Sequence, residues 1–456
     1  MTSRAPGTEL ERLLGTLKGE DRLRARRAVA RLGELRAPGA RRALEAALRS
    51  PDVALRVGAA SALASLGRPE SRGVLESALE DPDWRVRAQV AYALSRLPDR
   101  RSTGRLAELV VQDESALVRY AAALALGRIA DPAAVPALER ALDDRSDRVR
   151  REAILALERS HDPRAAEKVR RFLRDPARRV RIAATLVLGL RRDRDGAATL
   201  LQFFERSDSW ERPAVLVALG RIGTPECGEA LAGASGDPVR WVRVCALHGL
   251  SEMRSPRTRD VARARLADPA WAVRGAAALA LGRVGLPEDA PTLAPLLRDP
   301  SAWVRRGATY ALGQLGAPSS ADAIRAGLRD PDPEVRLASV WALGALKDAA
   351  STAELVRMLE GSRPRVSASH RTMMQGDGAV RLVSDAESRI FDALIVAVGS
   401  LTFGPSSAAA RRALARARRA LTEADLDRPA RLASPIGPGE GARTVRSLFD
   451  ASELES

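Results

Sequence analysis

Residues 268–285 read Asp268-Pro269-Ala270-Trp271-Ala272-Val273-Arg274-Gly275-Ala276-Ala277-Ala278-Leu279-Ala280-Leu281-Gly282-Arg283-Val284-Gly285. Val273, Ala277, Ala280, Leu281 and Val284 recur at helical spacing, so they share one face of an amphipathic helix. Asp268 is expected to cap that helix, with Pro269 at its first position, where a missing N–H is harmless. Gly282 is expected to end it as a left-handed cap. A second amphipathic stretch follows at Ala290-Pro291-Thr292-Leu293-Ala294-Pro295-Leu296-Leu297. The unit is therefore helix–turn–helix. Two helices alone cannot bury their apolar faces, so the unit requires neighbours.

The neighbours are present. Arg56, Arg87, Arg119, Arg150, Arg181, Arg212, Arg243, Arg274, Arg305 and Arg336 follow one another at intervals of 31 residues, with one interval of 32 between Arg87 and Arg119. Val usually precedes this arginine, Asp stands six residues before it, and Gly recurs eight residues after it, at Gly127, Gly189, Gly220, Gly282, Gly313 and Gly344. An arginine at a fixed place in every unit is expected to hold the stack, by bonding a neighbouring unit's Asp or carbonyls. The competing reading, a row of nucleic-acid contacts, is the weaker one.

Composition agrees with a stack of helices. The 456 residues are 45% hydrophobic and only 3% aromatic, so the core must be Ala, Leu and Val, which suits close-packed helices better than sheets. The two cysteines, Cys227 and Cys245, exclude a disulfide framework and a multi-cysteine metal cluster. No apolar run approaches the roughly 18 residues of a membrane span. The N-terminal stretch lacks a basic-then-apolar signal pattern, so a cytoplasmic protein is expected.

The repeated pattern Asp-Pro-x-x-x-Val-Arg-x-x-Ala-x-x-Ala-Leu-Gly resembles HEAT repeats, most closely the short HEAT-like form named after phycobilisome lyases. The resemblance covers roughly residues 20–360 and a degenerate unit near 386–421. It implies an all-α, right-handed α-solenoid of about twelve helix–turn–helix units. The expected organisation is a solenoid over 1–361, a non-repeat insertion over 362–388, a degenerate terminal repeat over 389–421 and a Pro/Gly-rich tail over 422–456. The insertion, which contains His370 and Arg371, is a candidate binding loop. The unit around Arg212 departs from the pattern, with Arg206 in place of Asp, Glu211 in place of Val, and Pro213 after the arginine. It reads either as a bend or as repeat decay.

Catalytic signatures are missing. HEAT-like deoxyhypusine hydroxylases hold iron through His-Glu pairs. Here His161 precedes Asp162, His248 precedes Gly249 and His370 precedes Arg371. Cys227 and Cys245 match no zinc spacing, and there is no P-loop, dinucleotide glycine motif or nucleophile elbow. No cofactor and no enzymatic activity are expected.

Charge offers the functional leads. The formal charge is +16, and 71 arginines stand against three lysines. Residues 164–194 are especially basic, with Arg170, Arg171, Arg178, Arg191 and Arg192 as candidate partner contacts. Further basic clusters lie at Arg22–Arg31 and Arg411–Arg419. Trp84, Trp210, Trp241, Trp271 and Trp303 each precede a repeat arginine by two or three residues, so they form a row along one edge. Trp241, Trp271 and Trp303, interleaved with arginines, suit partner binding, with inter-repeat packing as the plainer reading. The expected function is a non-enzymatic scaffold for a protein partner with an acidic surface. The alternatives are nucleic-acid binding on a basic face and, implied by the resemblance alone, a chaperone-like bilin lyase subunit.

Overall fold

The computed structural model describes residues 6–361 except Lys18, Glu20 and Pro256, together with Leu394, Ala397 and 412–417. Most of the 362–388 insertion, the terminal repeat and the tail, including His370 and Arg371, lie outside the described residues. The described residues are helical and turn segments without strands, and the fold is an all-α solenoid. The chain divides into two compact units, Met1–Ala218 and Leu219–Ser456.

In Met1–Ala218 the long first helices of successive repeats include Val53–Leu66, Trp84–Ser95, Ala116–Ile129, Asp147–Arg159 and Arg178–Leu190. In Leu219–Ser456 they are Arg240–Met253, Trp271–Val284, Ala302–Leu315 and Pro333–Ala345. Within each unit every first helix packs on the next, forming a layer. The second helices are shorter and often end in a 3-10 turn, as Ala290–Leu293 does in Ala294–Arg298.

The core follows the periodicity. Val273, Ala277, Ala280 and Leu281 are buried, as are their counterparts Val304, Ala308, Ala311 and Leu312 in the next repeat. A fully buried Leu or Val contributes roughly 1.5–3 kcal/mol. Alanine adds little area, but it lets the helix axes approach.

Two local expectations are corrected. Asp268 is not the helix cap: the Trp271–Val284 helix is entered from Ala270, and the Asp268 carboxylate accepts the Ala270 N–H at 2.9 Å. The Asp-Pro pair thus forms the bend before the helix, and both Asp268 oxygens also accept from Arg243 of the preceding repeat. Nor is Gly282 a left-handed cap. It lies inside the helix, where a Cβ would stand 2.6 Å from the Ala311 Cα of the next repeat. Gly127 and Gly313 meet Ala156 and Ala342 in the same way. The repeated glycine is a point of close helix approach. The left-handed turns fall elsewhere, at Gly67 and Gly316 among others.

Candidate functional site

The repeat arginines come first, because their geometry decides which cations remain for a partner. Arg274 donates from Nε and Nη2 to both oxygens of Asp299 at 2.7 and 2.9 Å. Its Nη1 donates to the Asp268 and Pro269 carbonyls at 3.0 and 3.1 Å. One planar fork therefore grips the next repeat's carboxylate and its own repeat's bend. Arg243 with Asp268 and Arg305 with Asp330 repeat the arrangement. In Met1–Ala218 so do Arg56 with Asp81, Arg87 with Asp113, Arg119 with Asp144 and Arg150 with Asp175. Arg26 joins the series through Asp52, although its sequence neighbourhood suggested only a basic cluster. Arg336 donates to the Asp330 and Pro331 carbonyls.

The carboxylates respond to this setting. Burial alone would push the Asp299 carboxyl up. The Arg274 fork and the Ser301 N–H overcome that and hold it below the ordinary carboxylate range. Asp268 and Asp330 balance the same causes with the same result.

At the irregular repeat the series continues by substitution. Arg206 stands where Asp is expected, and Arg181 turns instead to Glu211, whose Oε1 accepts from Arg181 Nε at 2.7 Å. Glu211 is buried, in the position that valine fills elsewhere. The signal was in the sequence: an acid at an apolar position, one repeat after an arginine that had lost its aspartate.

The 164–194 stretch is far less free than its linear charge suggests. Arg170 is held by Asp193 at 2.7 Å, Arg171 by Asp143 at 2.8 Å, and Arg178 by Asp208 at 3.0 Å. Arg179 pairs with Asp147, Lys168 with Glu139 and Asp162, and Arg191 donates to the Glu158 carbonyl at 2.6 Å. Most of these acids lie outside the stretch and are brought in by helix stacking, so a window along the chain cannot count them. Arg192 is exposed, at a left-handed turn. In the second compact unit Arg416 pairs with Glu360.

The tryptophans behave differently. Trp241, Trp271 and Trp303 are 50%, 48% and 43% exposed, on three successive first helices of Leu219–Ser456. Trp271 and Trp303 meet edge to face with ring centroids 6.4 Å apart. The Arg306 guanidinium lies 4.2 Å from the Trp303 ring centroid, and that of Arg240 lies 5.5 Å from Trp241. Trp303 also rests on Gly275, where a Cβ would come within 2.5 Å of the indole. Packing between repeats thus accounts for one side of Trp303, while much of the row stays open to solvent. Trp84 and Trp210 are likewise exposed in Met1–Ala218. Trp241, His248 and Glu252 fall at i, i+7 and i+11 of one helix, and so share its exposed stripe.

Cys227 is buried and Cys245 half-buried, and burial pushes the Cys245 thiol up. Among the described residues no His, Cys, Asp and Glu gather in a group that could hold a metal ion. No helix of the described residues is long and apolar enough to cross a membrane.

These features define an α-solenoid of short helical repeats, stitched by an arginine–carboxylate series. The HEAT-repeat family model matches residues 10–95, 42–114, 74–158, 105–189, 166–244, 229–312 and 290–372, so the chain belongs to the HEAT-repeat family. No curated protein matches it. Among solved structures, an importin-β crystal structure is similar at 14% identity, with a TM-score of 0.61 over 97% of this chain and 68% of that one. Yeast importin-β, Kap95p, is similar at 14% identity, with a TM-score of 0.58 over 98% of this chain and 67% of that one. The CpcE–CpcF complex of phycocyanin lyase from Nostoc sp. PCC7120 matches at 22% identity, with a TM-score of 0.35 over 56% of this chain and 97% of that one. At 14% identity the likeness to the importin-β structures is one of fold.

Proposed function

We propose that the chain is a non-enzymatic scaffold that holds a protein partner with an acidic surface. The contact surface is the exposed first-helix face of Leu219–Ser456. The observation that carries this reading is the open row of Trp241, Trp271 and Trp303 with arginines stacked on it. Tryptophan and arginine dominate the energetics of protein interfaces, and contact between repeats covers only part of these indoles. Arg306 is paired with Glu334, so Arg240 is the arginine that selects carboxylates on the partner, and the indoles supply the apolar contact.

The test is affinity capture from the native source, comparing the natural chain with a variant carrying Arg240→Glu and Trp241→Ala. Both side chains are exposed, so the variant should unfold at the same temperature. Loss of the captured partner is expected. A partner retained at undiminished yield would overturn the assignment of this face.

A further inference from the structure

The same helix layer carries a cleft at the end opposite the tryptophans. It has a volume of about 720 Å³, and four consecutive first helices supply its walls. Arg254 follows the Arg240–Met253 helix. Gly282 and Arg283 come from Trp271–Val284, Gly313 from Ala302–Leu315, and Trp341 and Ala345 from Pro333–Ala345.

Its shape follows from the stacking. Gly282 and Gly313 lie where neighbouring helices touch, with the Gln314 amide over the first and the Trp341 ring over the second. The long side chains stand at the margins. Trp341 forms one end, braced edge to face on Tyr310 with centroids 5.3 Å apart. Arg283 stands on the other side, with Nη1 3.3 Å from Glu252 Oε1. Arg254 is exposed and has no acidic partner among the described residues. A second cleft of about 350 Å³ shares Arg254 and Arg283 and adds Arg259 and Leu286, so the depression continues past the arginines.

We propose that this cleft binds an extended acidic segment of a partner protein, with an apolar side chain on Trp341 and carboxylates on Arg254 and Arg283. The proposal rests on the protein-scaffold reading above and names its ligand. Two features point to this occupant. The first is charge: the arginines outnumber the single acid that lines the cleft. The second is spacing. Packed helices lie about 8–10 Å apart, and an extended chain rises about 3.3 Å per residue, so every third ligand residue meets a new helix. Four helices then accommodate roughly eight to ten residues.

The experiment is fluorescence anisotropy on the full chain with labelled twelve-residue peptides. The probe is a glutamate peptide with leucine at every third position. Its companions are the same peptide with lysine for glutamate, one with leucine at every fourth position, and a single-stranded DNA of twelve nucleotides. The probe should bind saturably, one per chain, and the lysine peptide should not. The fourth-position peptide should bind several-fold more weakly. Arg254→Glu and Ala345→Trp change exposed positions, and each should weaken the probe at least tenfold without altering unfolding. Equal binding by the lysine peptide, by the fourth-position peptide or by both variants would overturn the proposal. DNA binding that Arg254→Glu abolishes, with no peptide binding, would overturn it in favour of nucleic acid. If the probe fails while Arg240→Glu/Trp241→Ala still removes a captured partner, the cleft proposal falls and the scaffold reading stands. If the probe binds as expected while that variant retains its partner, the tryptophan edge falls and the cleft stands.

Discussion

Replacing Arg274 by alanine removes one link of the arginine–carboxylate series, and the structure sets the size of the effect. An exposed ion pair is worth about 0–1 kcal/mol, whereas removing one partner of a buried pair costs about 3–5 kcal/mol. The Arg274 and Asp299 side chains are only 17% and 6% exposed, so this pair lies nearer the buried limit. Asp299 keeps one donor after the change, the Ser301 N–H at 2.8 Å. A loss of about 2–3 kcal/mol is expected. Arg274→Lys should recover less than half, because an ammonium cannot reproduce the fork. The cause can be isolated. Most of the loss is the uncompensated Asp299 charge, so adding Asp299→Asn to Arg274→Ala should restore part of the stability. The sign of the pH effect is also determined. In the natural chain the Asp299 carboxyl sits below its ordinary range, and so stabilises the fold above pH about 4. Without Arg274, burial dominates and raises that carboxyl above its unfolded value. Acidification then relieves the variant, and the gap between variant and natural chain should narrow from pH 7 toward pH about 4.5. Urea unfolding at both pH values, with hydrogen exchange across 271–315, measures this. A loss below about 0.5 kcal/mol, or no recovery in the double variant, would refute the reasoning.

Gly282→Ala should destabilise by about 1–2 kcal/mol despite a helix-propensity gain near 1 kcal/mol, because its Cβ would meet the Ala311 backbone at 2.6 Å. Gly233→Ala, with nothing within 4 Å, should instead stabilise by up to about 1 kcal/mol, and paired thermal melts compare the two. Thr185 is buried and its hydroxyl finds no partner among the described residues, so Thr185→Val should raise stability by about 1 kcal/mol in urea. Burial opposes ionisation of Asp268, Asp299 and Asp330, yet their arginine and N–H partners leave all three carboxyls lowered. The stability they provide is present above pH about 4 and lost as pH falls through their lower folded values. Melting temperature should therefore hold from pH 7 to about 4.5 and drop below it; a fall centred near pH 6 would contradict this.

The repeat was legible because each structural demand recurs every 31 residues. A buried valine before the arginine, leucine at the helix centre and small residues at the contact are all periodic signals. The misread positions were those whose cause lies in the neighbouring repeat. Gly282 looks like a terminator until Ala311 is seen against it, and Asp268 looks like a cap until it is seen to serve Arg243 as well. The acids around the basic stretch were hidden for the same reason. Asp143 and Asp208 are remote from Arg171 and Arg178 in the chain and adjacent in space. The tryptophan row could be located from sequence, but its openness could not. That depends on which side of each indole the next helix covers.

The division of labour within a repeat explains why the candidate surfaces fall where they do. Stacking uses the arginine, the following repeat's carboxylate, the buried valine and leucine, and the small residue at helix contact. These positions admit little change, because each is packed on both sides. The stripe that faces away from the second helices carries less of that work. Five residues after the repeat arginine, Leu-219-to-Ser456 repeats carry His248, Leu279, Tyr310 and Trp341, and nine residues after it they carry Glu252, Arg283, Gln314 and Ala345. One helix thus joins a nearly constant stacking face to a chemically varied one, which is exposed at His248, Glu252, Gln314 and Ala345 and buried at Tyr310. Such an array presents a different side chain at each helical step while keeping the steps evenly spaced. That is the property needed to read an extended partner residue by residue, and it requires no catalytic group.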